Sequence, residues 1–251
     1  MCTSISTAVT AARTACGTGD GTSNEIITSP VCRLGSAATW EWIPSGASGR
    51  LPDVMDEAFA KEHLLDDLRW VREAMVWKVE GLSEYDSRRP LTPTGTNLLG
   101  LIKHLAVSES WYFGEVFARP FPEPLPRWDE EAVAERTMYA AADESREEIV
   151  GLYRRVWQHS DATVAALPID APGHVPWWPR PEVKLFNILV HMLTETNRHA
   201  GHADILREQL DGVTGQASEL KGPRRDEAFW EARRTKIEQA ARASSDRASA
   251  E

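Results

Sequence analysis

Cysteine is scarce in this chain of 251 residues and is confined to its beginning, at Cys2, Cys16 and Cys32. The rest of the chain therefore has neither disulfides nor thiolate metal sites, which suits a reducing compartment, and we expect a cytoplasmic protein. Apolar runs of about 18 residues are also missing, so the sequence predicts no membrane span. Basic charge is outweighed, because 28 Lys and Arg face 38 Asp and Glu and give a net charge of -10. This balance argues against a nucleic-acid or anionic-membrane partner.

The first 54 residues differ in composition from the rest of the chain. They are rich in Ser, Thr, Gly and Ala and show no sustained helical or strand period, so we expect 1–54 to be a mostly disordered extension. Acidic residues that suit a first helical turn follow Met55, which makes Met55 a candidate for the natural start of the protein. We expect a helical unit at 55–215, followed by a C-terminal helix and polar tail at 216–251.

From residue 55 onwards, helical patterns alternate with proline-marked loops. Apolar residues recur at three- and four-residue steps, Thr96 fits an N-cap, and Gly212 fits a left-handed C-cap. With no alternating strand pattern, the sequence predicts an all-α fold, an antiparallel four-helix bundle with an extra C-terminal helix. The five helices are predicted at about 55–82, 96–118, 140–167, 183–211 and 223–245.

A stiff, proline-rich loop is predicted over 168–181, between the third and fourth helices. It carries two adjacent tryptophans, Trp177 and Trp178. This pair either covers one end of the bundle or walls a pocket.

Four polar residues share one stripe of the fourth predicted helix, at spacings of four, four and three, so that successive members lie on adjacent turns. They are His191, Glu195, His199 and His202. Glu195 and His199 lie nearest the apolar face, and an i, i+4 pair can chelate one metal ion. The best third ligand is His104, the one histidine of the second predicted helix. Imidazole and carboxylate suit Zn, Fe, Ni or Mn, and three protein ligands leave positions open for water or substrate, as in catalytic sites.

The same residues also have a purely structural interpretation. A carboxylate and an imidazole at i, i+4 on a helix surface contribute only a few tenths of a kcal/mol. A lone helical histidine such as His104 is often a hydrogen-bonded residue at the border of the core. The remaining histidines belong neither to the stripe on the fourth predicted helix nor to the second predicted helix, and they are expected at the surface; they are His63, His159 and His174.

Two stretches, Asn97 to Phe113 and Leu189 to Gly212, resemble the signature helices of the DinB superfamily, in its mycothiol-transferase-like branch. The run GHADILRE is the most specific part, and the resemblance covers about 57–245. It implies an up-down-down-up four-helix bundle, commonly dimeric, that holds a divalent metal through one His on the second helix and an HxxxH pair on the fourth. Position by position, it implies His104 and His199 as ligands and puts Glu195 where the family has its other His.

Glu195 thus departs from the family pattern, and two imidazoles with one carboxylate also resemble the facial triad of non-haem Fe(II) enzymes. The metal stays open, with Zn the first choice and Fe, Ni or Mn as alternatives. His202, one turn beyond His199, either replaces Glu195 as a ligand or acts as a proton shuttle. His191 is assigned as a partner that supports the ligands without binding the metal.

The resemblance implies a metal-dependent transferase that uses a low-molecular-weight thiol, mycothiol in high-GC bacteria, as co-substrate to attack an electrophilic small molecule. Only 6 of the 28 basic residues are Lys, which fits a high-GC coding bias. In this mechanism the metal-bound thiol loses its proton, and His202 or a metal-bound hydroxide accepts it. An apolar pocket for the electrophile is assigned to four aromatic residues, Trp111, Tyr112, Trp177 and Trp178.

Two other functions stay open at this point. One is a metal-dependent isomerase or non-haem iron oxygenase built on a DinB-like bundle. The other is a non-catalytic interaction bundle. The expected partners are the thiol, the electrophile and a second copy of the chain in a homodimer.

Overall fold

The computed structural model describes residues 56–127, 133–215 and 226–248, all within the unit Val54–Glu251. The predicted all-α class is confirmed, since two three-residue strands are the only sheet in this part of the chain. The predicted extension at 1–54 and the segment 216–225 lie outside the described residues. The elements, in chain order, are α1 (Glu57–Trp77), α2 (Glu84–Arg88), α3 (Leu98–Phe113), a 3-10 turn (Glu115–Phe117), α4 (Val133–Thr137), α5 (Arg146–Ala166), β1 (Pro172–His174), β2 (Glu182–Lys184), α6 (Leu185–Asp211) and α7 (Glu227–Ala248).

Helix α1 ends at Trp77, about five residues earlier than the apolar pattern predicts. A tertiary contact lies at this helix end. The last turn of a helix leaves carbonyl groups without partners, and the guanidinium of Arg207 on α6 donates to two carbonyls just past this helix end. They belong to Lys78 and Glu80, at 2.8 and 2.9 Å from Nη1. Arg207 thereby joins the end of α1 to α6.

Helix α3 has Asn97, not the predicted Thr96, as its N-cap. The side-chain oxygen of Asn97 accepts the backbone N–H of Gly100 at 2.7 Å, which satisfies a donor that the first turn leaves open. The helix ends at Phe113, about five residues before the predicted end, and the chain continues into the 3-10 turn Glu115–Phe117. Thr96 and Asn97 are adjacent polar residues, and either type can cap a helix. Which of them does so depends on the backbone geometry, which the sequence pattern does not reveal.

Helix α5 begins at Arg146 rather than near residue 140, because Ser145 and Glu148 form a capping box. The Ser145 hydroxyl oxygen accepts the Glu148 N–H at 3.1 Å, and the Glu148 carboxylate accepts the Ser145 N–H at 2.8 Å. Helix α6 ends as predicted. Gly212 follows it with φ 72°, a left-handed conformation that glycine adopts without strain.

The predicted loop at 168–181 and the predicted start of the fourth helix contain a short antiparallel hairpin, so the expectation of no strand was wrong here. Three residues per strand are too few for alternation to stand out in the sequence. Gly173 of β1 pairs with Val183 of β2. It also lies close to the 3-10 turn that follows α3, since a Cβ on Gly173 would be 2.8 Å from Val116 Cγ1. The hairpin holds Trp177 and Trp178 in the connection between its strands.

The core lies between the four long helices, with α3 packed along α5 and α6, and α1 packed along α6 and α5. Helix α3 is the most enclosed, because 13 of its 16 residues are buried. Its remaining residues are Lys103, His104 and Trp111, so His104 borders the core rather than lying inside it.

Helix α7 corresponds to the predicted C-terminal helix, starting and ending a few residues later than expected. Its described side chains are exposed, including those of Trp230 and Ile237. No helix among the described residues combines the length and the apolar character that crossing a bilayer requires.

Candidate metal centre

Three side chains from two helices converge beside the core. Oε1 of Glu195 lies 2.9 Å from Nε2 of His199 and 3.5 Å from Nε2 of His104. One ligand atom from each of the three lies within 4.8 Å of the others. Helix α6 supplies Glu195 and His199 on successive turns, and α3 supplies His104 across the helix contact. The structure therefore brings together the three residues that were predicted as a set.

The cluster is mostly shielded from solvent, with the carboxylate at its open side. The His199 and His104 side chains are 11% and 13% exposed, whereas Glu195 is 28% exposed. Hydrogen bonding to His104 and His199 holds the pKa of Glu195 well below its usual range, because both imidazoles favour the charged carboxylate. A negative charge therefore faces two imidazoles at neutral pH.

The donor set fits a divalent transition metal. Ligand atoms bound at about 2.0–2.2 Å in a tetrahedral site lie roughly 3.3 Å apart, close to the spacings of Glu195 from the two imidazoles. Nδ1 of His199 is buried and has no hydrogen-bond partner within the described ranges, so Nε2 is the nitrogen engaged with the cluster. Two nitrogens and one carboxylate oxygen are ligands that Zn, Fe, Ni and Mn all accept.

His202 and His191 flank the three clustered residues on α6. The ring of His202 lies 5.4 Å from that of His199, and its side chain is exposed. Among the described residues, the group of mutually close ligand atoms includes an oxygen of Glu195 and no nitrogen of His202. Partial loss of hydration beside the helix lowers the pKa of His202, with the neighbouring His199 acting in the same direction. His191 packs instead against aromatic rings.

The four predicted pocket residues also come together. The rings of Trp111 and Trp177 are 4.5 Å apart, and Tyr112 lies 6.1 Å from Trp177 and 5.8 Å from Trp178. His191 connects this group to the cluster, since its ring lies 4.5 Å from Tyr112 and one helical turn from Glu195. Side chains from α3, the hairpin connection and α6 thus form one aromatic surface next to the three clustered residues.

A comparison with protein families identifies the chain. The family model described as mycothiol-S-transferase matches residues 63–212, which is more than half of the sequence. The chain belongs to the mycothiol-S-transferase family. The matched stretch contains His104, Glu195 and His199 and ends before α7. No curated protein matches the chain.

The other histidines of this mycothiol-S-transferase family member lie apart from the centre. His63 and His174 are exposed, as expected, with Nδ1 of His174 placed 2.8 Å from Glu182 Oε1. His159 is half-buried rather than fully at the surface, because its Nε2 interacts with the carbonyl of Arg119 at 2.7 Å.

Sequence patterns missed a buried charged network that joins α1, α3 and α5. Arg72 on α1 and Glu109 on α3 are fully buried and paired, and Asp161 on α5 completes the network. One signal was present in the sequence, since Glu109 interrupts a run of mostly apolar residues on α3. Its partner Arg72 lies 37 residues away, and Asp161 lies 89 residues from Arg72, so no local spacing links them.

Proposed function

We propose that this chain is a divalent-metal-dependent S-transferase that joins mycothiol, or a thiol of that type, to an electrophilic small molecule. The observation that carries the proposal is the convergence of His104, Glu195 and His199 within 4.8 Å in a member of the mycothiol-S-transferase family. The working unit is the helical segment 55–215, and Zn is the first choice of metal.

His104, Glu195 and His199 would hold the metal. When bound, a metal of this type makes a coordinated thiol lose its proton near neutral pH. Glu195 and His199 project from successive turns of one rigid helix, so their spacing varies little. Because only three side chains converge among the described residues, a metal held by them would have positions left for the thiol sulfur.

His202 is assigned as the acceptor of the thiol proton. Its exposed ring lies beside His199, which lets it pass a proton to solvent. Partial loss of hydration and the nearby His199 lower its pKa and so favour the neutral imidazole, which can accept a proton at neutral pH.

The aromatic surface is assigned to the electrophile. Its members are Trp111, Tyr112, Trp177 and Trp178. Their rings offer an apolar wall one helical turn from Glu195, and Trp177 is 42% exposed, so this wall is open to an incoming molecule. His191 supports the wall by packing between Tyr112 and Trp178 at 4.5 and 4.8 Å.

A cytoplasmic homodimer is the assembly that we propose. Confinement of cysteine to the first 32 residues fits a reducing compartment. Exposed apolar side chains along α6, at Phe186, Val190 and Ile205, fit a contact with a second copy of the chain.

A second candidate function is a non-haem iron oxygenase or isomerase. The observation in its favour is Glu195, because two imidazoles with one carboxylate form the donor set of the Fe(II) facial triad. The metal in the purified protein separates this candidate from the transferase.

The test combines metal analysis with thiol conjugation. Purified protein is analysed for Zn, Fe, Ni and Mn and is then incubated with mycothiol and monobromobimane. We expect about one divalent ion per chain and metal-dependent conjugation in the wild type and in the control His63→Ala, whose side chain is exposed on α1. His199→Ala should lose both.

The outcomes distinguish the candidates. Full metal retention in His199→Ala would contradict the assigned ligands. Bound iron with oxygen consumption, without conjugation, would favour the oxygenase. No bound metal and no conjugation in the wild type would favour a non-catalytic interaction bundle.

A further inference from the structure

Tyr112 occupies a central place in the aromatic surface. It lies in the last turn of α3, two turns beyond His104, and is only 5% exposed. Its ring is surrounded by those of His191, Trp178 and Trp177, at 4.5, 5.8 and 6.1 Å. It is the one member of this surface that carries a hydroxyl group.

The surroundings of that hydroxyl make it a hydrogen-bond donor. Burial raises the pKa of Tyr112, the indole N–H groups of Trp178 and Trp177 oppose this, and the charge of Glu195 raises it again. The group is therefore a neutral phenol at physiological pH. The rings of Trp177 and Trp178 lie 6.1 and 5.8 Å from that of Tyr112, and an indole N–H can only donate, so a contact from either would use a lone pair of the phenol oxygen and leave its O–H for another acceptor. Glu195 is already shared between two imidazoles.

We infer that Tyr112 donates its proton to an oxygen atom of the electrophile, so that the second substrate is a planar, apolar compound whose carbon–oxygen bond opens, such as an aryl epoxide. The inference rests on the proposed thiol transfer and names its substrate class. The aromatic walls select the planar body, and the phenol selects oxygen over a halide as the atom that receives the electron pair of the broken bond.

The step balances without any further reagent. The thiolate sulfur forms a bond to an epoxide carbon, the C–O bond breaks, and its electron pair goes to oxygen. That oxygen takes the Tyr112 proton, and water returns a proton to the phenolate. The thiol proton released earlier reaches solvent, so the sum is addition of one S–H across one C–O bond. A halide needs no proton when it leaves, so Tyr112 offers it little help.

Two substrates with the same carbon skeleton test the inference. Rates of conjugation to mycothiol are measured for styrene oxide and for 2-phenylethyl bromide, in the wild type and in Tyr112→Phe. General acid catalysis contributes about 10²–10⁴-fold, so the ratio of kcat/KM for the epoxide to that for the bromide should fall at least tenfold. The matched control is Tyr85→Phe, whose side chain is 72% exposed on α2, and its ratio should equal that of the wild type.

A binding measurement provides a readout that needs no catalysis. Acetophenone and ethylbenzene have similar planar bodies, and only acetophenone has an oxygen that can accept the Tyr112 proton. Ligand-observed NMR titration should show that Tyr112→Phe weakens acetophenone binding several-fold and leaves ethylbenzene binding unchanged.

These results separate the inference from the function on which it rests. A wild type that binds acetophenone through Tyr112 and conjugates neither electrophile would refute thiol transfer and retain the donor role of Tyr112. Two results would overturn the inference and leave Tyr112 with a packing role alone. One is an equal fall in kcat/KM for both electrophiles in Tyr112→Phe, and the other is equal binding of acetophenone by Tyr112→Phe and the wild type.

Discussion

Arg72 and Glu109 form a fully buried ion pair between α1 and α3. Nη2 of Arg72 lies 2.6 Å from Oε1 of Glu109, and Nε lies 3.1 Å from Oε2, so the two groups meet at two points. Asp161 on α5 accepts from Nη1 of Arg72 at 2.8 Å and is 26% exposed. Charges out of water are costly unless paired, so this network strongly favours one arrangement of three helices.

The first prediction concerns this pair. Arg72→Met should lower the free energy of unfolding by about 3–5 kcal/mol, because it leaves the carboxyl group of Glu109 buried without its partner. Glu109→Leu should be comparably harmful. The double variant should lose less than the sum of the two, since no orphaned charge remains between the pair. Urea denaturation of all four proteins measures this coupling, and strictly additive losses would contradict it.

The second prediction concerns the close approach of α3 to the residues that follow α4. A Cβ on Gly100 would lie 2.6 Å from the carbonyl carbon of Met138 and 2.9 Å from Oδ1 of Asn97. Gly100→Ala should therefore destabilise the protein by about 1–3 kcal/mol, although alanine favours helices. The control is Gly151→Ala on α5, where the nearest atom is the mobile Arg155 Nη1 at 3.4 Å. Thermal melting should shift down for the first variant and not for the second.

The third prediction concerns pH and the capping box of α5. Ser145→Ala should cost about 1 kcal/mol at neutral pH, through loss of the cap. Hydrogen bonds from the Ser145 N–H and hydroxyl lower the pKa of Glu148. A carboxyl group with a lowered folded-state pKa stabilises the fold above its unfolded pKa of about 4.3, and this contribution is lost as pH falls through the folded value.

The stability gap between wild type and Ser145→Ala should accordingly narrow below about pH 4. Urea denaturation between pH 7 and pH 3 measures the gap. Ser145→Thr, which keeps a capping hydroxyl, should follow the wild type throughout. A gap that stays constant over this range would show that the Ser145 hydroxyl does not stabilise the charged Glu148 carboxylate.

The fourth prediction addresses the carboxylate of the metal centre. Glu195→Gln keeps the shape of the side chain and removes its charge. Loss of a residue that only orients a ligand lowers metal affinity about 10–100-fold, so loss of a ligand charge should lower it by more. Glu195→His restores the family's HxxxH pattern and should retain the metal. Competition with a chromogenic chelator measures affinity, with Glu182→Gln, on the exposed strand β2, as the control.

The alternative ligand is His202. If Glu195→Gln binds metal as tightly as the wild type while His202→Gln does not, His202 is the third ligand and Glu195 only orients the imidazoles. Loss of metal in Glu195→Gln alone supports the carboxylate as the ligand.

Several helices and one helix end could be predicted from the sequence alone. Helices α5 and α6 follow from apolar periodicity, and the end of α6 follows from Gly212, because these signals act within a few residues. The chelating geometry of Glu195 and His199 is equally local, since four residues make slightly more than one helical turn. His104 was the candidate third ligand as the one histidine of the second predicted helix, and the family resemblance implied the same residue.

Only the tertiary structure decided which distant side chains meet. The carbonyls just past the end of α1 accept from Arg207, which is more than 120 residues away in the chain. The pairing of Arg72 with Glu109, and the closeness of Trp177 to Trp111, depend on how helices and hairpin pack. Periodicity reports which face of a helix is buried and not what it is buried against, so contacts between elements are invisible until the elements are assembled.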